Sequence, residues 1–124
     1  MLPETPCLLV DIDRLENNIR KMAALARENN VALRPHIKTH KTVEIARMQL
    51  AAGAQGITVA KVSEAEIMVQ TGIDDIFIAY PIIGAAKLRR LMDLNRRCRL
   101  IVGVDSLDGA MAMAGAAREA RQAI

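Results

Sequence analysis

Short apolar runs at residues 7–10, 31–33, 57–59, 76–79 and 100–104 recur along the chain, each bounded by turn-forming residues and followed by a stretch of helical period. That alternation constrains the fold more than any other feature. The runs lack a strict apolar and polar alternation, which is the pattern of strands buried on both faces of a parallel sheet. In the first intervening stretch Leu15, Ile19, Met22 and Leu25 or Ala26 share a helical face. Asp13 followed by Glu16 has capping-box spacing, so this helix is predicted to start at Asp13. Ser63 and Glu66 repeat the device in the third stretch, and Gly53 and Gly72 supply residues able to turn left-handed past a helix end.

Strand and helix thus alternate five times. Right-handed crossovers between neighbouring parallel strands leave two α/β architectures, an open five-stranded doubly wound sheet or a (β/α) barrel. Length by itself favours the open sheet, since a closed eight-unit barrel takes roughly 250 residues and this chain has 124. With 52% hydrophobic and 25% charged residues the composition is globular, and a net charge of +3 is too small to argue for nucleic acid. One Tyr, one Phe and no Trp leave little for bases to stack on. Cys7 and Cys98 form neither a metal-type cluster nor a disulfide framework. No window approaches the ~20 apolar residues of a membrane-spanning helix, and the N-terminus has no basic region leading into an apolar one. The expectation is a soluble protein in a reducing, cytoplasmic setting with no nucleic-acid or membrane partner.

In either architecture the chemistry gathers where strands end and helices begin, because those loops share a face and the helix N-termini point their positive ends at it. The face carries Asp11, residues 34–41, residues 61–64, residues 80–84, and Asp105 with Ser106. The second loop is the densest, with Arg34, His36, Lys38, His40 and Lys41 in eight residues. A solvated basic loop, with Thr39 or Thr42 capping the next helix, is one reading. It contains no glycine, which excludes the common phosphate-binding loops, and Pro35 disfavours the helix that would put His36 and His40 on one face as zinc ligands.

A lysine at a strand end, ringed by other cations, has a chemical use: neighbouring positive charge and partial desolvation leave more free amine to form a Schiff base with an aldehyde. Lys38 is the better placed candidate. Ile37 can anchor it to the barrel side, whereas Lys41 is expected in the first turn of the second helix.

The run Arg34-Pro35-His36-Ile37-Lys38-Thr39-His40-Lys41, preceded by Thr5-Pro6-Cys7-Leu8-Leu9-Val10-Asp11 and followed by residues 51–60 (AAGAQGITVA), resembles the N-terminal half of the D-threonine aldolase and D-serine dehydratase family. These are fold-type III pyridoxal-phosphate enzymes related to the alanine racemase N-terminal barrel. The resemblance covers about positions 5 to 105. It implies that Lys38 holds pyridoxal 5'-phosphate as a Schiff base and that residues 1–124 are a partial barrel domain, the first five units of an eight-unit TIM-type barrel. Later loops of that barrel would hold the cofactor phosphate, and a C-terminal β domain would supply the ligands of a divalent metal. The implied substrate is a D-β-hydroxy amino acid, cleaved by an aldolase or dehydrated. An amino acid racemase of the alanine racemase type and a non-catalytic pyridoxal-phosphate carrier are the alternatives. A receiver-type domain would need an Asp where residues 60 and 61 are Ala and Lys, which argues against it.

The remaining candidates are graded by chemistry. His36 and His40 can move protons near neutral pH or serve packing. Tyr80 can stack near the cofactor or hydrogen-bond to it, and a rim tyrosine bonded to backbone fits equally. Lys61 can reach a phosphate, though a solvated loop residue explains it more simply. Asp11 and Asp105 read as structural carboxylates, with orienting Lys38 or a histidine as a second role open to Asp11. The methionines read as core filler, and Lys87, Arg89, Arg90, Arg96, Arg97 and Arg99 as a solvated face. A barrel segment with uncovered edges is expected to self-associate, as a homodimer in the intact enzyme.

Overall fold

Five helices alternate with three strands in the computed structural model, which describes residues 4–124. The helices are α1 (Ile12–Glu28), α2 (Val43–Ala51), α3 (Val62–Gln70), α4 (Ala85–Asn95) and α5 (Leu107–Ala120); the strands are β1 (Ile57–Val59), β2 (Asp75–Ile78) and β3 (Arg99–Val102). A 3-10 turn spans Ile37–Thr39. Two helix starts lie earlier than the capping-box spacing implied. Asp11, not Asp13, caps α1, its carboxylate accepting from the Arg14 amide at 3.1 Å. Helix α3 begins at Val62, so its third residue is Glu64 rather than Glu66, and it is Glu64 that reaches back to the chain before the helix. Gly53 and Gly72 do follow the ends of α2 and α3 with φ of +111° and +88°.

The strands pair in parallel in the order β1-β2-β3, with Ile57 opposite Ile76 and Ile76 opposite Leu100. Chain order and sheet order coincide, so right-handed crossovers place α3 and α4 on the same face. A doubly wound sheet must reverse its strand order to cover both faces, and these strands do not. The unreversed order is the one that a barrel continues from strand to strand.

Two of the five expected strands are not strands. Residues 7–10 pair with nothing among the described residues, and Leu8 is 98% exposed. Residues 31–33 give way to an irregular edge further along the chain. Gln55 N–H donates to Leu33 O and Thr58 N–H to Pro35 O, which sets three residues of one chain against two of the other. Pro35 has no N–H to offer a ladder, and a single parallel bridge, His36 to Thr58, is what remains.

Successive strand residues point to opposite faces. Ile57, Val59, Ile76 and Ile78 face the helices and are completely buried against α3 and α4, each side chain contributing about 1.5–3 kcal/mol. Thr58, Phe77 and Ile101 take the other face, where Thr58 is buried and Ile101 is 37% exposed. Burial on both faces, expected from the apolar runs, holds for β1 but not for β2 or β3, whose burial alternates. Met68, Met92 and Met113 fill the core as expected, while Met22 and Met111 are exposed.

At the N-terminal end of the strands, Asp75 accepts from two arginines. The Arg34 guanidinium grips it through both terminal nitrogens, Nη2 to Oδ2 at 3.0 Å, and Arg99 Nη1 approaches Oδ2 at 2.9 Å. The Arg34 side chain crosses Gly56 to get there; a Cβ on Gly56 would collide with the guanidinium and with the Asp75 carbonyl. The basic residues of 87–99 are thus not a uniform solvated face. Arg99 joins this cluster, and Arg90 clamps Glu66, tying α4 to α3.

Candidate active site

Lys38 is presented by a turn that the sequence pins on both sides. Ile37 is completely buried in the core, as its anchoring role requires, and Lys38 beside it is exposed. His36 precedes the turn and accepts the Lys38 amide at Nδ1, 3.2 Å away. His40 closes it, donating its own N–H to Ile37 O and accepting the Thr42 amide at Nδ1, 3.0 Å away. Thr42 occupies the start of α2 without capping it, since its hydroxyl donates to His40 O at 2.7 Å.

Both imidazoles spend their Nδ1 lone pair on backbone, so both are neutral tautomers carrying hydrogen on Nε2. Burial is the main reason each titrates below an ordinary histidine, and the Lys38 charge adds to the effect on His36. His40 Nε2 is enclosed without a partner, as is Gln49 Oε1.

The expected ring of cations around Lys38 does not form. Arg34 turns to the opposite end of the strands to meet Asp75. Lys41 is not in α2 but precedes it at φ +50°, with Nζ 3.1 Å from Glu64 Oε1. Lys38 Nζ itself has no ion-pair or hydrogen-bond partner among the described residues. Its amine is available because its neighbours are engaged elsewhere.

Glu64 is the residue that motif reading passed over. Its buried carboxylate accepts the Ala60 amide through Oε2 at 2.9 Å and holds Lys41 through Oε1. Burial works against this charge, and the Ala60 amide and Lys41 outweigh it, so Glu64 titrates below the ordinary carboxylate range. The available signal was positional, a Glu at the third residue of a helix that follows a strand end.

Tyr80 is 65% exposed and lines a cavity of about 530 Å³ with Lys61, Ser63, Pro81 and Lys87. Neither His36, Lys38 nor His40 lines it. Asp11 is occupied with the α1 cap, and Asp105 is exposed. Among the described residues no three His, Cys, Asp or Glu side chains gather as metal ligands, and no helix is long and apolar enough to cross a membrane.

An unreversed parallel β/α segment that displays a lysine from a strand-end turn fits part of a (β/α) barrel with that lysine at its C-terminal mouth. Residues 10–124 match the family model of the alanine racemase N-terminal domain, and the chain belongs to that family. It is 46% identical over 119 residues to D-threonine aldolase of Arthrobacter sp, covering 91% of this chain and 31% of the relative. Against D-threo-3-hydroxyaspartate dehydratase of Delftia sp. (strain HT23) the identity is 40% over 121 residues, 97% of this chain and 32% of the relative. The crystal structure of D-threonine aldolase from Filomicrobium marinum superposes with a TM-score of 0.94 at 41% identity, over 98% of this chain and 33% of that one. The chain spans about a third of the length of the relatives it matches.

Proposed function

We propose that this chain is the cofactor-binding part of a pyridoxal-phosphate lyase acting on D-β-hydroxy amino acids, as an aldolase or a dehydratase, with Lys38 as the residue that carries the cofactor. The observation that carries the reading is the exposed, unpartnered Lys38 amine on a turn anchored by Ile37. Such an amine fits an aldehyde cofactor, because its nitrogen can add to an aldehyde carbon arriving from solvent without first breaking an ion pair. The relatives whose names denote an aldolase and a dehydratase support the substrate class. Bound pyridoxal phosphate supplies an electron sink for bonds at the substrate α carbon.

The chain's own residues supply geometry and proton inventory. His36 and Ile37 fix where the Lys38 side chain leaves the backbone, and neutral His36 keeps an Nε2–H able to donate. A divalent metal, with ligands beyond these residues, and a homodimeric assembly belong to the same proposal.

The test is to add pyridoxal phosphate to the protein, record its visible spectrum, reduce with borohydride and map the modified peptide by mass. Label on Lys38, with the visible band lost in Lys38→Ala, is the expected result; an unchanged band in Lys38→Ala refutes the assignment. Racemisation, which the family's name suggests, is the second reading. Assaying D-threonine for aldehyde, keto acid or inverted configuration separates the three outcomes.

A further inference from the structure

The turn holds two lysines three residues apart, and the cofactor reading needs only one. In a 3-10 turn residues i and i+3 eclipse, so a continued turn would project Lys38 and Lys41 on the same side. Two features prevent it. Lys41 takes φ +50°, a conformation L side chains avoid, which turns it out of the eclipse. Its ammonium then lies 3.1 Å from Glu64 Oε1, while the other carboxylate oxygen is fixed by the Ala60 amide at the end of β1. Glu64 is buried and cannot follow a mobile partner; its position is set by the start of α3. The carboxylate therefore holds Lys41 against the strand end, and among the described residues nothing comparable holds Lys38.

We infer that Glu64 is a positioning residue that selects which lysine reacts: by engaging Lys41 it keeps that amine paired and turned aside, and leaves Lys38 as the amine of the turn open to an aldehyde. The step selected is condensation, in which the neutral amine nitrogen adds to the aldehyde carbon and the aldehyde oxygen leaves as water. This inference rests on the Lys38 reading above, and deepens it.

Two measurements test it on the protein. The first uses no variant and no cofactor: brief treatment with an acetylating ester, with each lysine quantified by mass. Lys38 and Lys41 are both exposed, yet Lys41 is expected to acetylate about tenfold more slowly, the order that one charge-assisted bond supports. Equal rates overturn the inference. The second uses pyridoxal phosphate and borohydride. Lys38→Ala is expected to take no label on Lys41, and Lys38→Ala combined with Glu64→Gln, which keeps an acceptor for the Ala60 amide, is expected to take it there. Label on Lys41 in Lys38→Ala alone, or none in a folded double variant, overturns the inference. Failure of the native protein to label at Lys38 strikes the functional reading instead, and leaves the acetylation contrast standing as the test of the Glu64 contact.

Discussion

Replacing Gly56 with Ala adds a single methyl group, yet the structure assigns it a large cost. That methyl would meet the Arg34 guanidinium and the Asp75 carbonyl, with the Asp75 carboxyl carbon 3.0 Å away. The guanidinium can move, but only by leaving Asp75, which it grips through two nitrogens at side-chain exposures of 16% and 19%. The carbonyl cannot move alone, because Asp75 opens β2 and the next residue, Ile76, is in register with Ile57 of β1. Overpacking of this kind costs about 1–3 kcal/mol, and disturbing a charge-assisted pair adds about 1–2 kcal/mol. The expected loss is thus about 2–5 kcal/mol, or a fall in Tm of about 10–20 °C for a chain of this size. Circular dichroism during thermal and urea unfolding reads it directly. An Arg34→Ala background removes one of the two collisions, so a double-mutant cycle should show a coupling of about 1 kcal/mol. A Gly56→Ala protein within about 0.5 kcal/mol of the parent would refute the claim that the crossing of Arg34 over Gly56 fixes the strands here.

Gly115 gives the opposite sign: it lies inside α5, a Cβ there meets nothing within 4 Å, and Gly115→Ala should stabilise by about 0.5–1 kcal/mol, read as a rise in Tm. Asp75 is held below the usual carboxylate range, chiefly by its hydrogen bonds to Arg34. A depressed folded value means stability that is present above the unfolded value of about 3.9 and lost as pH falls through the folded one. Asp75→Asn should therefore be less stable than the parent at pH 7 and should flatten the acid limb of a urea-midpoint profile; parallel profiles would refute the assignment.

The βα order was legible because apolar period and turn residues are local signals, and helix starts were misplaced by two residues or fewer for the same reason. Asp11 and Asp13 both suit a cap, and the structure uses Asp11 and leaves Asp13 in the first turn. The missing strands have a different origin. Residues 7–10 carry apolar side chains with no strand beside them, and nothing within Cys7-Leu8-Leu9-Val10 announces that. Barrel against open sheet turned on non-local properties, the unreversed strand order and the match to the alanine racemase N-terminal domain, where chain length pointed the other way. At the site, Lys38 and its Ile37 anchor could be read from one segment. The contacts that decide which cations surround it could not: Arg34 finds Asp75, 41 residues on, and Lys41 finds Glu64 across the end of β1.

Those long-range contacts bear on why imidazoles bracket the turn that carries Lys38. The turn leaves backbone amides that need acceptors, and Asp or Ser would normally supply them. A carboxylate at position 36 would place a negative charge two residues from Lys38 and hold its ammonium, as Glu64 holds that of Lys41. An imidazole Nδ1 accepts the same bond without a charge, provided it stays neutral. Burial favours this for both histidines, and the Lys38 charge adds to it at His36. The two histidines thus satisfy the turn's backbone while leaving its lysine without a counter-ion, and the nearest buried carboxylate is directed to the other amine.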